Sequence, residues 1–92
     1  MNVTFRIRIR LRGDRGVTME KVGRAPVVNV GVGYEIGDVT VNIGRTVIHL
    51  DSGWATLECE PVVMVGDIEY RSAVRRYEAA GFKEVDKPTD SG

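Results

Sequence analysis

Four arginines recur at every second position near the start of the chain, in the stretch Val-Thr-Phe-Arg-Ile-Arg-Ile-Arg-Leu-Arg that spans positions 3–12. Side chains on a β-strand alternate between the two faces of a sheet, so these arginines share one face at a spacing of about 6.6 to 6.8 Å: Arg6, Arg8, Arg10 and Arg12. The planar guanidinium pairs with carboxylate or phosphate groups. The pattern therefore predicts a surface that holds anionic groups.

Three kinds of anionic partner fit this arginine row. Carboxylates on a neighbouring strand, from Glu20, Glu58 or Glu60, would make it an internally paired structural face. A partner protein or a second copy of the chain would use the row as an interface. The phosphates of a nucleic-acid strand have a similar spacing, but the face carries no aromatic side chain on which bases could stack. The residues favour internal pairing first, a protein interface second and nucleic acid third.

The single histidine and the single cysteine are the other residues that could do chemistry. A Cys–His pair can form a nucleophile, but His49 is predicted on a strand surface and Cys59 in a core position. One cysteine excludes an internal disulfide and a multi-cysteine zinc site, and the carboxylates match no calcium loop. We therefore expect no enzyme activity, no cofactor and no metal.

The glycine-rich stretch 31–37 follows a predicted strand, as phosphate-binding loops do. Such a loop needs a helix after it, because the helix N-terminus supplies donors and a favourable dipole. The next residues, 38–43, are β-branched and alternating, which predicts another strand. The stretch is thus interpreted as a turn or a site of close packing.

Strands are the main elements that position these residues. Alternation and turn residues predict strands over 3–12, 17–22, 27–34, 39–43, 46–50, 54–60 and 62–65. We expect a β-dominated α+β fold, a curled antiparallel sheet or small open barrel of about six strands with one C-terminal helix packed on it. Residues 1–85 would form a single domain, and residues 86–92 a disordered polar tail.

The helix is predicted over about 67–80, with Asp67 as its N-cap. Its apolar stripe is Tyr70, Ala73, Val74, Tyr77 and Ala80. Gly81 fits a left-handed C-cap, after which Phe82 can fold back onto Tyr77. A short strand over 82–85 would follow.

Two resemblances concern this C-terminal part. Residues 73–85, with Tyr-Glu-x-x-Gly-Phe, resemble the last helix and strand of GNAT acetyltransferases, in which the tyrosine, here Tyr77, can be the general acid. The family's Arg/Gln-x-x-Gly-x-Gly loop is missing and the chain is far shorter, so acetyltransferase activity is not expected. The strand, the helix and the following Gly81-Phe82-Lys83-Glu84-Val85 with its polar tail are similar to the ends of small accessory and structural proteins of tailed phages. That resemblance implies a virion or phage-accessory role and assigns no site residue.

Charge is unevenly distributed along the chain, which favours basic strands lying beside acidic strands in one sheet over a dipolar surface that meets a charged partner or another copy of the chain. Residues 1–46 hold eight Lys or Arg and four Asp or Glu, a net of +4, and residues 47–92 hold five and nine, a net of −4. No apolar run reaches the length of a membrane span, so an intracellular location is expected, cytoplasmic or in a virion. We expect a non-enzymatic protein-binding or self-assembling module whose partner is another protein or its own copies. The alternative is a nucleic-acid-binding module using the arginine row.

Overall fold

A computed structural model describes residues 1–13 and 15–85 of the chain. The predicted tail, residues 86–92, lies outside the described residues. The elements are β1 (Asn2–Leu11), β2 (Gly16–Arg24), β3 (Gly33–Ile36), β4 (Val39–His49), β5 (Trp54–Cys59), β6 (Val62–Met64), α1 (Asp67–Ala79) and β7 (Lys83–Glu84). Strands dominate the described residues and one helix follows them, so the predicted fold class is confirmed.

β1 lies at the centre of the sheet, whose strand order is β3-β4-β5-β1-β2-β7 with β6 also paired to β1. Its five apolar side chains are each at most 5% exposed and form the inner row of the core: Val3, Phe5, Ile7, Ile9 and Leu11. β2 runs antiparallel to β1, whereas β5 and β6 run parallel to it. The sheet is therefore mixed, a feature that alternation alone does not reveal because it assigns faces and not strand partners.

β4 is one long strand where two were predicted. Its register against β5 shifts between Ile43 and Arg45, so a bulge at Gly44 joins the two predicted halves. Because a bulge bends a strand, the part of β4 before Gly44 turns toward the inner face of the sheet, and β3 lies there with it. There the ring of Tyr34 meets that of Phe5 edge to face, with centroids 5.6 Å apart. This contact closes the sheet into a curled half-barrel.

The strand predicted over 27–34 is wrong over most of its length, because β3 covers only Gly33–Ile36. Side chains satisfy the backbone of the preceding loop: the Val27 N–H donates to the Tyr34 hydroxyl at 3.1 Å, and the Thr46 hydroxyl donates to the Val28 carbonyl. Val30 is 64% exposed, whereas Val28 and Val32 pack partly buried against the core, so the valine alternation marks a buried face only in part. Backbone hydrogen bonds with Ile43 still join the end of this loop to β4, and side chains supply the bonds at its start.

α1 packs its predicted stripe against the inner face of the sheet, with Ala73 and Tyr77 buried. Gly66, and not Asp67, is the N-cap, because the Tyr70 N–H bonds the Gly66 carbonyl and Asp67 already lies in the first turn. There its negative charge still suits the helix dipole. No helix among the described residues is long and apolar enough to cross a membrane.

The C-terminal end of α1 has the predicted left-handed cap. Gly81 has a φ of +101°, a conformation that favours glycine. The Phe82 N–H bonds the Tyr77 carbonyl at 3.0 Å and the Gly81 N–H bonds the Glu78 carbonyl at 2.9 Å, which is a Schellman motif. The motif turns the Phe82 ring onto Tyr77, at a centroid distance of 5.5 Å, and starts β7 beside β2.

Candidate protein-binding face

Arg12 follows the end of β1, and the outer face of the sheet carries the three arginines within β1: Arg6, Arg8 and Arg10. Their apolar neighbours in β1 are buried, so the alternation of β1 directs every guanidinium away from the core. Arg6, Arg10 and Arg12 are exposed, and Arg8 is half-buried. The four side chains do not share one environment, because the strands beside β1 differ along its length.

Arg6 belongs to a row of alternating charges that crosses five strands. Successive register partners in this row, from β4 to β7, are Arg45, Glu58, Arg6, Glu20 and Lys83. The Arg6 Nε donates to Glu20 Oε2 at 2.6 Å. Opposite charges on directly paired strands stabilise a sheet modestly, by about 0.2 to 1 kcal/mol per pair. Arg6 is thus matched by carboxylates within the fold.

Arg8 and Arg10 of β1, and Arg12 just after it, lie beyond this row. Arg8 donates through Nη1 to the Thr18 hydroxyl at 3.2 Å, and its register partner on β2 is that uncharged threonine. Arg10 lies opposite Gly16 on β2 and Val63 on β6, neither of which carries charge. No carboxylate among the described residues lies within 4.0 Å of Arg8, Arg10 or Arg12. These three arginines, which form no ion pair among the described residues, are called the cationic strip; it begins on the outer face of β1 and ends just after that strand.

Two carboxylates expected to pair with the arginine row do not contact it. Glu58 lies opposite Arg6 in the register but makes no ion pair within 4.0 Å among the described residues. Glu60 follows β5 next to the β4 bulge and is exposed. Of the three expected partners, Glu20 alone is in direct contact, since the β1–β2 hairpin fixes its position opposite Arg6.

An exposed apolar side chain lies beside Arg10, and sequence reasoning did not assign it to the site; two more are exposed in the segment that leads into α1 and in its first turn. Val63 is 62% exposed and lies on the same outer face as its register partner Arg10. Val65 is 74% exposed and Ile68, in the first turn of α1, is 81% exposed. The signal in the sequence was the run of apolar residues 62–65. Successive side chains of a strand point to opposite faces, so only every second residue of such a run can face the core.

His49 and Cys59 are not brought together. His49 pairs with Trp54 at one end of β5, and Cys59 lies at the other end of that strand. The exposed His49 Nε2 is 2.9 Å from the Thr56 hydroxyl on the outer face, whereas Cys59 is buried among core residues. No group of three or more His, Cys, Asp or Glu residues in the described part of the chain is placed to hold a metal ion.

The other two motifs have structural positions. The glycine-rich stretch continues through β3 into a tight turn, in which Gly37 has a φ of +58°, and then into β4, so no helix N-terminus follows it. Tyr77 is 7% exposed, and burial raises the pKa of its hydroxyl; the charge of Arg76 lowers that pKa by less, and Cys59 raises it slightly further. The Tyr77 side chain packs inside the core beneath α1.

The Cys59 thiol makes the stability of the protein depend on pH. Burial raises its pKa from 9.0 to about 11, against a smaller lowering by a hydrogen bond with the Arg6 backbone. Below pH 9 the thiol is protonated in the folded and unfolded chains alike. Between these pKa values only the unfolded chain loses the proton, so we expect the free energy of unfolding to fall as the pH rises from about 9 to 11.

Urea unfolding of the parent and Cys59→Ala at pH 8, 9, 10 and 11 measures this effect. Across this window the parent should lose about 1 to 2 kcal/mol more of its free energy of unfolding than the variant does, on the scale of about 1.4 kcal/mol per pKa unit. Equal losses of unfolding free energy in the parent and in Cys59→Ala between pH 9 and 11 would contradict this expectation.

No protein-family model, no curated protein and no solved structure matches this chain significantly.

Proposed function

We propose that this protein is a non-enzymatic protein-binding module, and that it binds an acidic partner through the cationic strip formed by Arg8, Arg10 and Arg12. One observation carries the proposal. Arg6 forms an ion pair with Glu20 of the same sheet, whereas the three arginines after it have no described carboxylate within 4.0 Å. Three like charges on one strand face repel each other, so a bound anionic partner would stabilise them.

A protein partner fits the strip better than a nucleic acid does. The residue beside Arg10 on β6 is the exposed Val63, and arginine next to an apolar side chain is typical of the centre of a protein interface. The aromatic residue of the outer face, Trp54, lies opposite Asn2, at the far end of β1 from Arg10. Bases bound along the strip would have no ring on which to stack there.

Two further parts of the functional prediction remain predictions. Self-assembly is the alternative form of protein binding, in which the acidic surface belongs to a second copy. A virion or phage-accessory role is implied by the C-terminal resemblance alone, and no comparison bears on it. Nucleic-acid binding through the arginine row is the runner-up function.

The double variant Arg8→Gln with Arg10→Gln tests the proposal, because it removes two charges and keeps side-chain length and polarity. We expect the parent to bind short poly-L-glutamate at physiological ionic strength, and the double variant to bind at least about tenfold more weakly. The free energy of unfolding should change by no more than about 1 kcal/mol, since neither arginine has a described ionic partner.

The same titration with a single-stranded oligonucleotide decides between the two functions. Oligonucleotide binding whose affinity falls linearly on a log–log salt plot, with a slope that shrinks by about 0.7 per removed contact, would overturn the protein-binding proposal. Failure of the parent to bind either probe would overturn both functions and leave the strip as a structural feature.

A further inference from the structure

β6 leaves one edge of the sheet open beside the cationic strip. It pairs with β1 on one side, and no described strand lies on its other side. The Arg12 N–H donates to the Met64 carbonyl at 3.2 Å, so the backbone groups of Met64 face β1. Because these groups alternate along a parallel strand, the N–H and C=O of Val63 face the open side.

The side chains of β6 distinguish its two faces. Val62 and Met64 pack against the core, whereas Val63 projects onto the outer face next to Arg10. Native proteins protect open edges with charged side chains, proline or short strands. β6 is short and Pro61 precedes it, but the residue at the centre of its open edge is an exposed valine. The edge can therefore accept a strand without desolvating a charge on β6.

The charges on the outer face define what kind of strand fits. A strand added to β6 would lie about 9.6 Å from β1, two interstrand spacings away. The side chains of that strand on the outer face would lie beside Val63. An arginine of β1 and a glutamate of the new strand are together long enough to meet across this distance. Acidic residues there would pair with Arg10 and Arg12. A second copy paired through its own β6 would instead bring two sets of arginines onto one face, which is unfavourable.

From these features we infer that the partner binds as an extended segment that adds a strand to the open edge of β6, with acidic side chains facing the cationic strip. This inference rests on the proposed function and specifies the form of its ligand. Backbone hydrogen bonds to Val63 supply part of the affinity, and the charges of Arg10 and Arg12 supply the preference for acidic residues.

An end-capped peptide of alternating glutamate and valine is the probe, and the same peptide with a central proline is its control, since proline removes a ladder donor. We expect the alternating peptide to bind the full chain at least about tenfold more tightly than the proline peptide. In amide hydrogen exchange followed by NMR, the bound peptide should slow exchange at Val63, whose N–H faces away from β1 and bonds no other described strand.

Two variants of Val63 distinguish the contribution of its backbone N–H to peptide binding from that of its side chain. Val63→Pro removes the N–H on the open edge and should weaken binding at least about tenfold, whereas Val63→Thr keeps the N–H, loses apolar area alone and should weaken binding several-fold less than Val63→Pro does. Exchange measured on the parent keeps the inference testable if Val63→Pro fails to fold.

The outcomes distinguish this inference from the proposed function. Equal binding of both peptides, lost in the Arg8→Gln/Arg10→Gln variant, would overturn strand addition and support the acidic-partner proposal. No binding of either peptide would overturn both. Protection of the Val63 amide without peptide, together with a dimer in analytical ultracentrifugation, would overturn the inference because a second copy would already occupy the edge.

Discussion

Tyr77→Ala is expected to destabilise the protein by about 3 to 5 kcal/mol. The Tyr77 side chain is 7% exposed and contacts the Phe82 ring edge to face at 5.5 Å, so the change empties the space between α1 and the sheet. It also weakens the contact that holds the C-terminal turn of α1. Domains of this size have about 5 to 15 kcal/mol of total stability, so the variant should lie close to unfolding at 37 °C.

Urea unfolding followed by circular dichroism measures this loss, and Tyr77→Phe is the matched control. The hydroxyl makes no hydrogen bond to a described side chain or backbone group, so removing it should cost less than about 1.5 kcal/mol. An unfolding midpoint for Tyr77→Ala close to that of the parent would show that α1 is not packed on the sheet through this ring.

Phe5→Ala is the second variant with a large expected effect, about 3 to 5 kcal/mol. Phe5 is 4% exposed, and its contact with Tyr34 joins the central strand to the β3–β4 hairpin across the inner face. Its removal should therefore open the curl of the sheet as well as leave a cavity. We expect hydrogen exchange in Gly33–Ile36 to accelerate more than exchange in the β1–β2 pair.

Phe5→Leu controls for the loss of apolar volume and should cost less than about 1.5 kcal/mol. If Phe5→Ala accelerated exchange equally in all strands, the Phe5–Tyr34 contact would not be what holds the hairpin.

The residue pattern within single segments predicted those parts of the fold that do not depend on contacts between distant segments. The alternation of β1 assigned its buried face because the period of a strand is two, and Gly81 identified the C-cap because few residues adopt a positive φ. The parallel pairing of β1 with β5 and β6 was not predicted, since it depends on how distant segments meet. The valines of 27–34 misled because an alternating pattern is also compatible with an exposed loop held by Tyr34.

The same limit applies to the candidate site. The alternation in the sequence predicted that all four arginines share one face, but it could not predict which of them have a carboxylate partner within the fold. Arg6 differs from Arg10 because the register sets Glu20 and Glu58 beside the first, and Gly16 and Val63 beside the second. Likewise, β6 has an open edge because no described strand pairs with its far side. The residues of β6 alone could not predict this, since it depends on where the other strands lie.

This division between Arg6 and Arg10 is the central claim, and one comparison tests it directly: the affinity of Arg6→Gln and of Arg10→Gln for short poly-L-glutamate at physiological ionic strength. Each variant removes one charge from the same face of the same strand, so net charge is matched. We predict that Arg10→Gln weakens binding by at least about fivefold, whereas Arg6→Gln stays within about twofold of the parent because Glu20 already compensates Arg6. Equal weakening by the two variants, or a larger effect from Arg6→Gln, would contradict the assignment of the cationic strip as the binding surface.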